Sequence, residues 1–244
     1  MSTLIDGGSR QQKIGGWAAL YAATAFVAAM PYFLLFVKYP SVMDPAEKVS
    51  MLVAHHGSLQ AMYLLTYVIF GIALSVLALT LYHRIKDKTP ILAQVATALG
   101  LIWALLLVAS GMICNAGIAA VVELHASSPG QAVSLWQAVE PVAQGLGGSG
   151  GELLGGLWIL LVSTAALRTR KLPKVLNWFG VVIGAVGVLS VVPVLRDLGY
   201  GFGMLQIVWF VGLGVVMLRA RRGRVVSAAP GRVLAGKEQV APKD

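Results

Sequence analysis

The chain has 244 residues, of which 57% are hydrophobic and 12% are charged. Soluble domains carry roughly 25% charged residues, whereas here the mean hydropathy is +0.78 and the apolar residues form long runs. These values exclude a soluble globular protein, because a soluble core cannot bury so many helices that are apolar on every side. The single cysteine, Cys114, excludes an intramolecular disulfide and any cysteine-based metal or redox motif.

Six apolar segments follow one another along the chain, and each reaches or approaches the roughly 20 residues that a membrane span requires. Pro31 predicts a kink in the first segment, and the apolar pattern of the third can be followed to about Val122, beyond the bilayer surface. The fold class is therefore all-α: one transmembrane bundle over residues 1–218 and a basic, disordered tail over 219–244. The predicted spans are about 16–37, 59–82, 91–112, 150–167, 175–195 and 201–218.

The basic residues are distributed unevenly between the two ends of these spans. Sixteen of the 19 lysines and arginines fall on one side, and the other side holds only Lys38, Lys48 and Arg196. Cytoplasmic loops carry the excess of basic residues in multi-pass proteins. We therefore expect both termini in the cytoplasm and the chain in the bacterial cytoplasmic (inner) membrane. The same bias accounts for the net charge of +9 without a nucleic-acid partner.

Two outer connections are predicted to contain helices of their own. In the first, Asp44 is an N-cap followed by Pro45 and Glu47, which is a helix start, and the helix is expected to end near Gly57. The second is predicted over 131–143, with Trp136 as an interfacial anchor. The glycine-rich run 145–151 is interpreted as a hinge or a re-entrant turn.

Three stretches of sequence carry a resemblance to a known family. They are Asp44-Pro45 with His56, Leu81-Tyr82-His83-Arg84, and Gly155-Gly156-Leu157-Trp158-Ile159-Leu160-Leu161 followed by Lys171-Leu172-Pro173 and Gly180. The layout resembles a family of bacterial six-span membrane proteins that is catalogued as a domain of unknown function. The likeness covers nearly the whole chain. It implies the fold, and it brings no activity, substrate or catalytic residue.

Polar residues inside a membrane are costly, so each one is a candidate site. Glu152 lies roughly 6 Å below the outer boundary when 20 residues are counted from Arg168. A helix that continues through Gly57 would align four polar side chains of the second span on one face. The alternatives are that Glu152 reaches the outer headgroups and that the tyrosines form an interfacial belt. The ligand-binding hypothesis is an outward-facing vestibule formed by Glu152, Gln206, His56, Gln60, Tyr63, Tyr67 and Asn115.

Two further sites are predicted with less specific patterns. No cofactor is expected, but imidazole and carboxylate groups suit a divalent metal such as zinc, and the alternative metal site consists of His55, His56, Glu123 and His125. Basic residues that directly follow the last span are attracted to anionic lipid, which gives a lipid-binding set of Arg219, Arg221, Arg222 and Arg224.

Three functions are compatible with these features. The first is a non-enzymatic accessory or scaffold protein, whose glycine faces at Gly147, Gly151 and Gly155 and at Gly180 and Gly184 dock a membrane-protein partner or a second copy. The second is a small-molecule or lipid-binding transporter that uses the vestibule. The third is a metal-dependent hydrolase. The absence of a phosphate loop, nucleophile elbow or zinc-protease motif favours a protein that is not an enzyme.

Overall fold

The computed structural model describes residues 2–147 and 152–219, and these ranges consist of helices joined by short connections, with no strand. This confirms the all-α fold class. Arg221, Arg222 and Arg224 of the predicted lipid site, the rest of the basic tail and most of the glycine run lie outside the described residues. The helices are α1 Ser2–Pro31, α2 Pro45–Tyr63, α3 Phe70–Ile85, α4 Pro90–Ser127, α5 Pro129–Gly147, α6 Glu152–Thr169, α7 Lys174–Leu189 and α8 Leu198–Arg219.

Five helical stretches among the described residues are long and apolar enough to cross a membrane, by length and composition. They are Arg10–Phe36, Pro45–Ile85, Pro90–Ser127, the stretch that ends with α6 at Thr169, and Leu198–Arg219. The sixth apolar helix, α7, has 16 residues and extends roughly 24 Å, less than the roughly 30 Å of a hydrocarbon core. The chain is a multi-pass membrane protein.

Proline begins several of these helices. Pro45, Pro90 and Pro129 are the first residues of α2, α4 and α5, where the missing N–H costs no hydrogen bond. The side chain of Asp44 accepts a hydrogen bond from the backbone N–H of Glu47 at 2.8 Å. The helix start predicted from this sequence is thereby confirmed.

The expected end of the outer helix near Gly57 is wrong. α2 continues through Gly57, passes into a π-helical segment, Leu64–Ile69, and joins α3 without a break. A Cβ atom at Gly57 would meet nothing within 4 Å, and no glycine among the described residues has a positive φ. Gly57 is therefore accommodated as an ordinary helical residue. A second π-helical segment, Tyr32–Phe36, directly follows Pro31, at the position where a kink was predicted.

The C-terminal ends of two spans differ from the sequence-based boundaries. α4 has 38 residues and runs to Ser127, so it is roughly 57 Å long and exceeds a bilayer core of roughly 30 Å by nearly half of its length. α7 ends at Leu189 and not at Leu195, because Pro193 cannot donate a helical hydrogen bond and instead begins a short 3₁₀ turn.

Glycines allow α6 and α7 to pack backbone to backbone. A Cβ atom added to Gly156 would lie 2.8 Å from the carbonyl oxygen of Gly184, and one added to Gly184 would lie 2.7 Å from the carbonyl oxygen of Gly156. A Cβ on Gly180 would overlap the hydroxyl of Ser163. Gly180 and Gly184, which the scaffold hypothesis assigned to an external partner, are therefore used in packing within the chain.

Two hydrophobic cores lie along the same helices. The bundle core contains residues of α1, α3, α4, α6, α7 and α8, including the rings of Trp158, Trp209 and Phe210. The second core, which we call the cap core, joins α2, α5 and the C-terminal half of α4. Trp136 is only 2% exposed in the cap core, so its predicted role as an interfacial anchor is wrong: α5 turns this side chain towards α4, where Gly117 leaves room for it.

Candidate functional site

A cavity of about 230 Å³ opens between the helices at the end of the bundle core where α8 begins. We call it the bundle cavity. Ligand pockets for drug-sized molecules are roughly 300–1,000 Å³, so this volume suits a smaller molecule. Residues from α1, α4, α5, α6, α8 and both π-helical segments form its walls: Phe26, Ala29, Phe33, Thr66, Tyr67, Trp103, Leu107, Gly147, Glu152, Gly199, Phe202, Gly203 and Gln206.

Glu152 brings a carboxylate to the wall of the bundle cavity. It is half-buried and is the first residue of α6, and its Oε1 lies 3.4 Å from the position that a Cβ on Gly199 would occupy. Gly199 is the second residue of α8, so the N-terminal end of α8 lies at this carboxylate. The partial positive charge of that helix N-terminus stabilises a negative charge there.

No basic side chain forms an ion pair with Glu152 within the described residues, although the positive charge of Arg196, just before α8, acts on it from a longer distance. The two ion pairs found there are Lys48 with Glu140 and Lys171 with Asp87. The connection from α5 to α6, residues 148–151, has the sequence Gly-Ser-Gly-Gly and carries no charge. A partly desolvated carboxylate without a paired cation is energetically unfavourable, which makes this position a candidate for binding a positive group.

Gln206 provides the second polar group of the bundle cavity. Its side chain is 2% exposed, and its Oε1 atom is buried without a hydrogen-bond partner among the described residues. It lies roughly 20 Å from Arg219 along α8, well inside a span. An unsatisfied buried amide oxygen costs roughly 1–3 kcal/mol, and a bound donor would remove this cost.

Aromatic rings make up most of the remaining wall. Phe26, Phe33, Tyr67, Trp103 and Phe202 all line the bundle cavity. Below it, their neighbours form a chain of edge-to-face contacts: the ring of Phe70 lies 5.2 Å from Phe26 and 6.1 Å from Trp103. These packed rings give the cavity a rigid apolar floor.

A second cavity of about 180 Å³, which we call the cap cavity, lies in the cap. Its glutamate, Glu140 on α5, is 17% exposed and fully engaged. Its Oε1 accepts hydrogen bonds from the Tyr39 hydroxyl at 2.8 Å, from Gln144 Nε2 at 3.1 Å and from Lys48 Nζ at 3.2 Å. The Lys48 ammonium also lies 4.9 Å from the centre of the Tyr39 ring. This network ties α2, α5 and the connection after α1 together.

Tyr39 reaches Glu140 because of the local backbone. Lys38 adopts the left-handed conformation, with φ of 53°, and ends the helical path before the 3₁₀ turn Tyr39–Ser41. Burial, and secondarily the negative charge of Glu140, raise the pKa of the Tyr39 hydroxyl far above its ordinary value. The hydroxyl therefore stays protonated and acts as a hydrogen-bond donor.

Two aromatic side chains are shared by the two cavities. Phe33 and Tyr67 line both the bundle cavity and the cap cavity. The ring of Tyr63, which lines the cap cavity, lies 5.5 Å from Phe33 and 5.4 Å from Tyr67. A wall of aromatic rings therefore separates the two cavities.

The seven predicted vestibule residues separate into two groups. Glu152, Gln206 and Tyr67 line the bundle cavity, and Tyr63 lines the cap cavity. The other three line neither. Gln60 Nε2 donates to the Asn115 carbonyl at 3.3 Å, and the exposed His56 places Nδ1 2.8 Å from the Val53 carbonyl.

The predicted metal site is not assembled. No group of three or more histidine, cysteine, aspartate or glutamate side chains in the described part of the chain is placed to hold a metal ion. His55 contacts the Phe36 ring at 5.6 Å, whereas Glu123 is exposed on α4. The four proposed ligands, His55, His56, Glu123 and His125, therefore do not converge as one set.

Sequence reasoning missed the Glu140 network. Lys48 and Glu140 are 92 residues apart, and Tyr39 and Glu140 are 101 apart, so no local spacing connects them. The only signal in the sequence was that Lys48 and Glu140 carry opposite charges and lie on the two helices that were predicted for the outer connections. The Glu140 network matters for the candidate site because it shows that Glu140 is already paired within the chain, whereas Glu152 has no ion pair among the described residues.

The comparison with known proteins places the chain in a family. The family described as Domain of unknown function (DUF4386) matches residues 17–219. The chain belongs to this family. No curated protein and no solved structure matches the sequence.

The contacts between helices explain part of the motif pattern noted above. Arg84, in the motif at the end of α3, donates from Nη2 to the carbonyl oxygen of Lys171 at 2.8 Å. Lys171 begins the short motif before α7. At Gly100, a Cβ atom would lie 2.5 Å from Nε1 of Trp158, so this tryptophan of the α6 motif is seated against a glycine of α4. These motifs are accounted for by packing.

Proposed function

We propose that this membrane protein binds a small organic molecule in the bundle cavity, as the ligand site of a transporter or binding protein. The observation that carries the proposal is that one aromatic-walled cavity holds both Glu152, which has no ion-pair partner in the described residues, and Gln206, whose Oε1 has no hydrogen-bond partner there. Concave, mostly apolar sites with a few convergent polar groups are typical of small-molecule binding.

The alternative functions have less support. A scaffold was inferred from glycine faces, but Gly155, Gly180 and Gly184 pack against this chain's own helices. A metal-dependent hydrolase would need convergent ligands, and the described residues hold no such cluster. The ligand site therefore becomes the leading hypothesis, ahead of the scaffold.

We further propose that the bundle cavity lies in the outer half of a bacterial cytoplasmic membrane, with both termini inside. The support is the uneven distribution of lysine and arginine. A cysteine introduced at Pro129, at the start of α5, should react with an impermeant maleimide added to intact cells, while one at Lys86 should not. The native Cys114 is buried and should contribute little labelling. Labelling of Lys86→Cys alone would refute the orientation.

The test of ligand binding uses two matched glycines of α8. Gly203 lines the bundle cavity and Gly201 does not, and a Cβ at either would meet nothing within 4 Å. Gly203→Leu should fill the cavity and Gly201→Leu should leave it open, while both variants gain helix propensity over glycine. Thermal unfolding in a mild detergent would be measured with three probes of similar shape: phenethylamine, 2-phenylethanol and 3-phenylpropionate.

We expect at least one probe to raise the unfolding midpoint of the native protein and of Gly201→Leu, because a ligand of the folded state stabilises it by mass action. Gly203→Leu should not respond. If no probe stabilises the native protein, or if both variants respond equally, the bundle cavity is not the ligand site.

A further inference from the structure

We infer that the ligand of the bundle cavity is a small organic cation, a protonated amine with an apolar body. This inference rests on the proposed function and names its substrate class. It follows from the charges, the acceptors and the rings that surround the cavity.

The charged group in the cavity wall is acidic. Glu152 is the only ionisable carboxylate or basic group among the described lining residues, and no lysine, arginine or histidine faces the cavity. The N-terminal end of α8 stabilises a negative charge at this carboxylate. An anionic ligand would be repelled by it, and a neutral ligand would leave it unpaired in a partly dry site. A cation satisfies it.

The second polar group has matching chemistry. Gln206 carries a carbonyl oxygen that has no partner among the described residues, and an ammonium group is a donor with no acceptor atoms. One N–H of a bound ammonium can point to the carboxylate of Glu152, and another to the amide of Gln206. Rotation about the last side-chain bond of Gln206 can turn its oxygen towards the ammonium, because the oxygen and the NH₂ group of an amide are similar in size and shape.

The rings select an organic cation over a metal ion. Five aromatic side chains line the cavity, and the face of an aromatic ring attracts a cation while its body packs against apolar groups. Calcium takes 6–8 oxygen ligands and magnesium requires near-octahedral oxygen coordination. The described lining offers few oxygen atoms besides those of Glu152 and Gln206, namely the hydroxyls of Thr66 and Tyr67 and backbone carbonyls. The volume of about 230 Å³ is also much larger than a metal ion needs.

The experiment compares the same three probes by isothermal titration calorimetry at neutral pH, where the amine is protonated. On the native protein, phenethylamine should bind about tenfold or more tightly than 2-phenylethanol, and 3-phenylpropionate should bind most weakly. Glu152→Gln should remove the preference for the amine while leaving the affinity for the alcohol unchanged. Glu152→Asp, which keeps the charge, should retain the preference for the amine. Glu123→Gln makes the same charge change at an exposed position outside the cavity and should behave as the native protein does.

The outcomes separate the two proposals. If the alcohol binds to the native protein as tightly as the amine, or if Glu152→Gln keeps the preference for the amine, the cation inference is overturned while ligand binding stands. If none of the three probes binds, the proposed function fails and the cation inference fails with it. If Glu152→Gln does not fold, the ranking of the probes on the native protein and on Glu152→Asp still decides, because a cation site must prefer the amine in both.

Discussion

The bundle cavity and the cap cavity each contain a glutamate in an environment with limited water, and the two glutamates are treated differently by the fold. Glu140 accepts hydrogen bonds from Tyr39, Lys48 and Gln144. Glu152 has no ion-pair partner among the described residues and faces a cavity together with the unpartnered oxygen of Gln206. A carboxylate that is paired with groups of its own chain stabilises the fold, whereas a carboxylate without an ion-pair partner remains free to bind a group of a ligand.

The cap and the bundle are also held rigid by different kinds of contact. In the cap, polar contacts hold α5 against α2 and the connection after α1. In the bundle, backbone contacts between glycines fix α6 against α7. Apolar packing therefore positions Glu152, and the packing of α6 does not depend on the Glu152 side chain. Substitutions of the two glutamates should therefore have opposite consequences for stability and for binding.

The largest effect on stability is expected for Glu140→Leu. It removes the acceptor of three side chains and leaves the Lys48 ammonium, 20% exposed, without a counterion, which we expect to lower the free energy of unfolding by about 2 kcal/mol. The measurement is chemical unfolding in detergent. Glu123→Leu, on the exposed surface of α4, is the control and should change stability by less than about 0.5 kcal/mol. Equal effects of both substitutions would mean that the network in the cap does not stabilise the fold.

A smaller effect is expected for Tyr39→Phe. The substitution keeps the ring beside Lys48 and removes only the hydroxyl that donates to Glu140 at 2.8 Å. A hydrogen bond to a charged acceptor contributes roughly 1.5–3 kcal/mol, but Lys48 and Gln144 still satisfy the carboxylate, so we expect a loss of about 1 kcal/mol. In the background of Glu140→Leu the same substitution should have almost no effect. An unchanged loss in that background would show that Tyr39 acts independently of Glu140.

Much of this architecture could be predicted from the sequence, because span length and apolar content follow directly from bilayer thickness. The helix start at Asp44 was predictable for a similar reason, since an N-cap and a proline at the first position act locally. The continuation through Gly57 was not, because a glycine in a helix depends on the contacts around it and here none opposes the helix. Trp136 was assigned to the membrane interface by its residue type, whereas long-range packing of α5 on α4 buries it.

The residues of the candidate site could be predicted from the position of polar residues within a span, but not from the alignment of polar residues on one face of a helix. Glu152 and Gln206 were identified because a polar group inside a span needs a reason, and both line the bundle cavity. The stripe from His56 to Tyr67 assumed 3.6 residues per turn throughout, but a π-helical segment begins at Leu64 and changes the register of Tyr67 relative to the three earlier positions. His56 is exposed in the regular part of α2, while Tyr67 lines both cavities.

The smallest effect on stability is expected for Gln206→Leu. Because the amide oxygen has no partner, replacing the side chain by an apolar one of similar size should leave the free energy of unfolding within about 0.5 kcal/mol of the native value, or raise it. Affinity for phenethylamine should nevertheless fall, since one acceptor is lost. A destabilisation of more than about 1 kcal/mol would mean that Gln206 is already paired in the folded protein, which would remove half of the proposed site.

The central claim is that one glutamate belongs to the fold and the other to a ligand. Glu140→Gln and Glu152→Gln remove one negative charge each, and both variants can be measured for unfolding midpoint and for phenethylamine affinity in the same preparation. We expect Glu140→Gln to lower the midpoint and keep the affinity, and Glu152→Gln to keep the midpoint and lose the affinity. If Glu152→Gln instead lowers the midpoint as Glu140→Gln does and leaves phenethylamine binding unchanged, the distinction between the two cavities is contradicted.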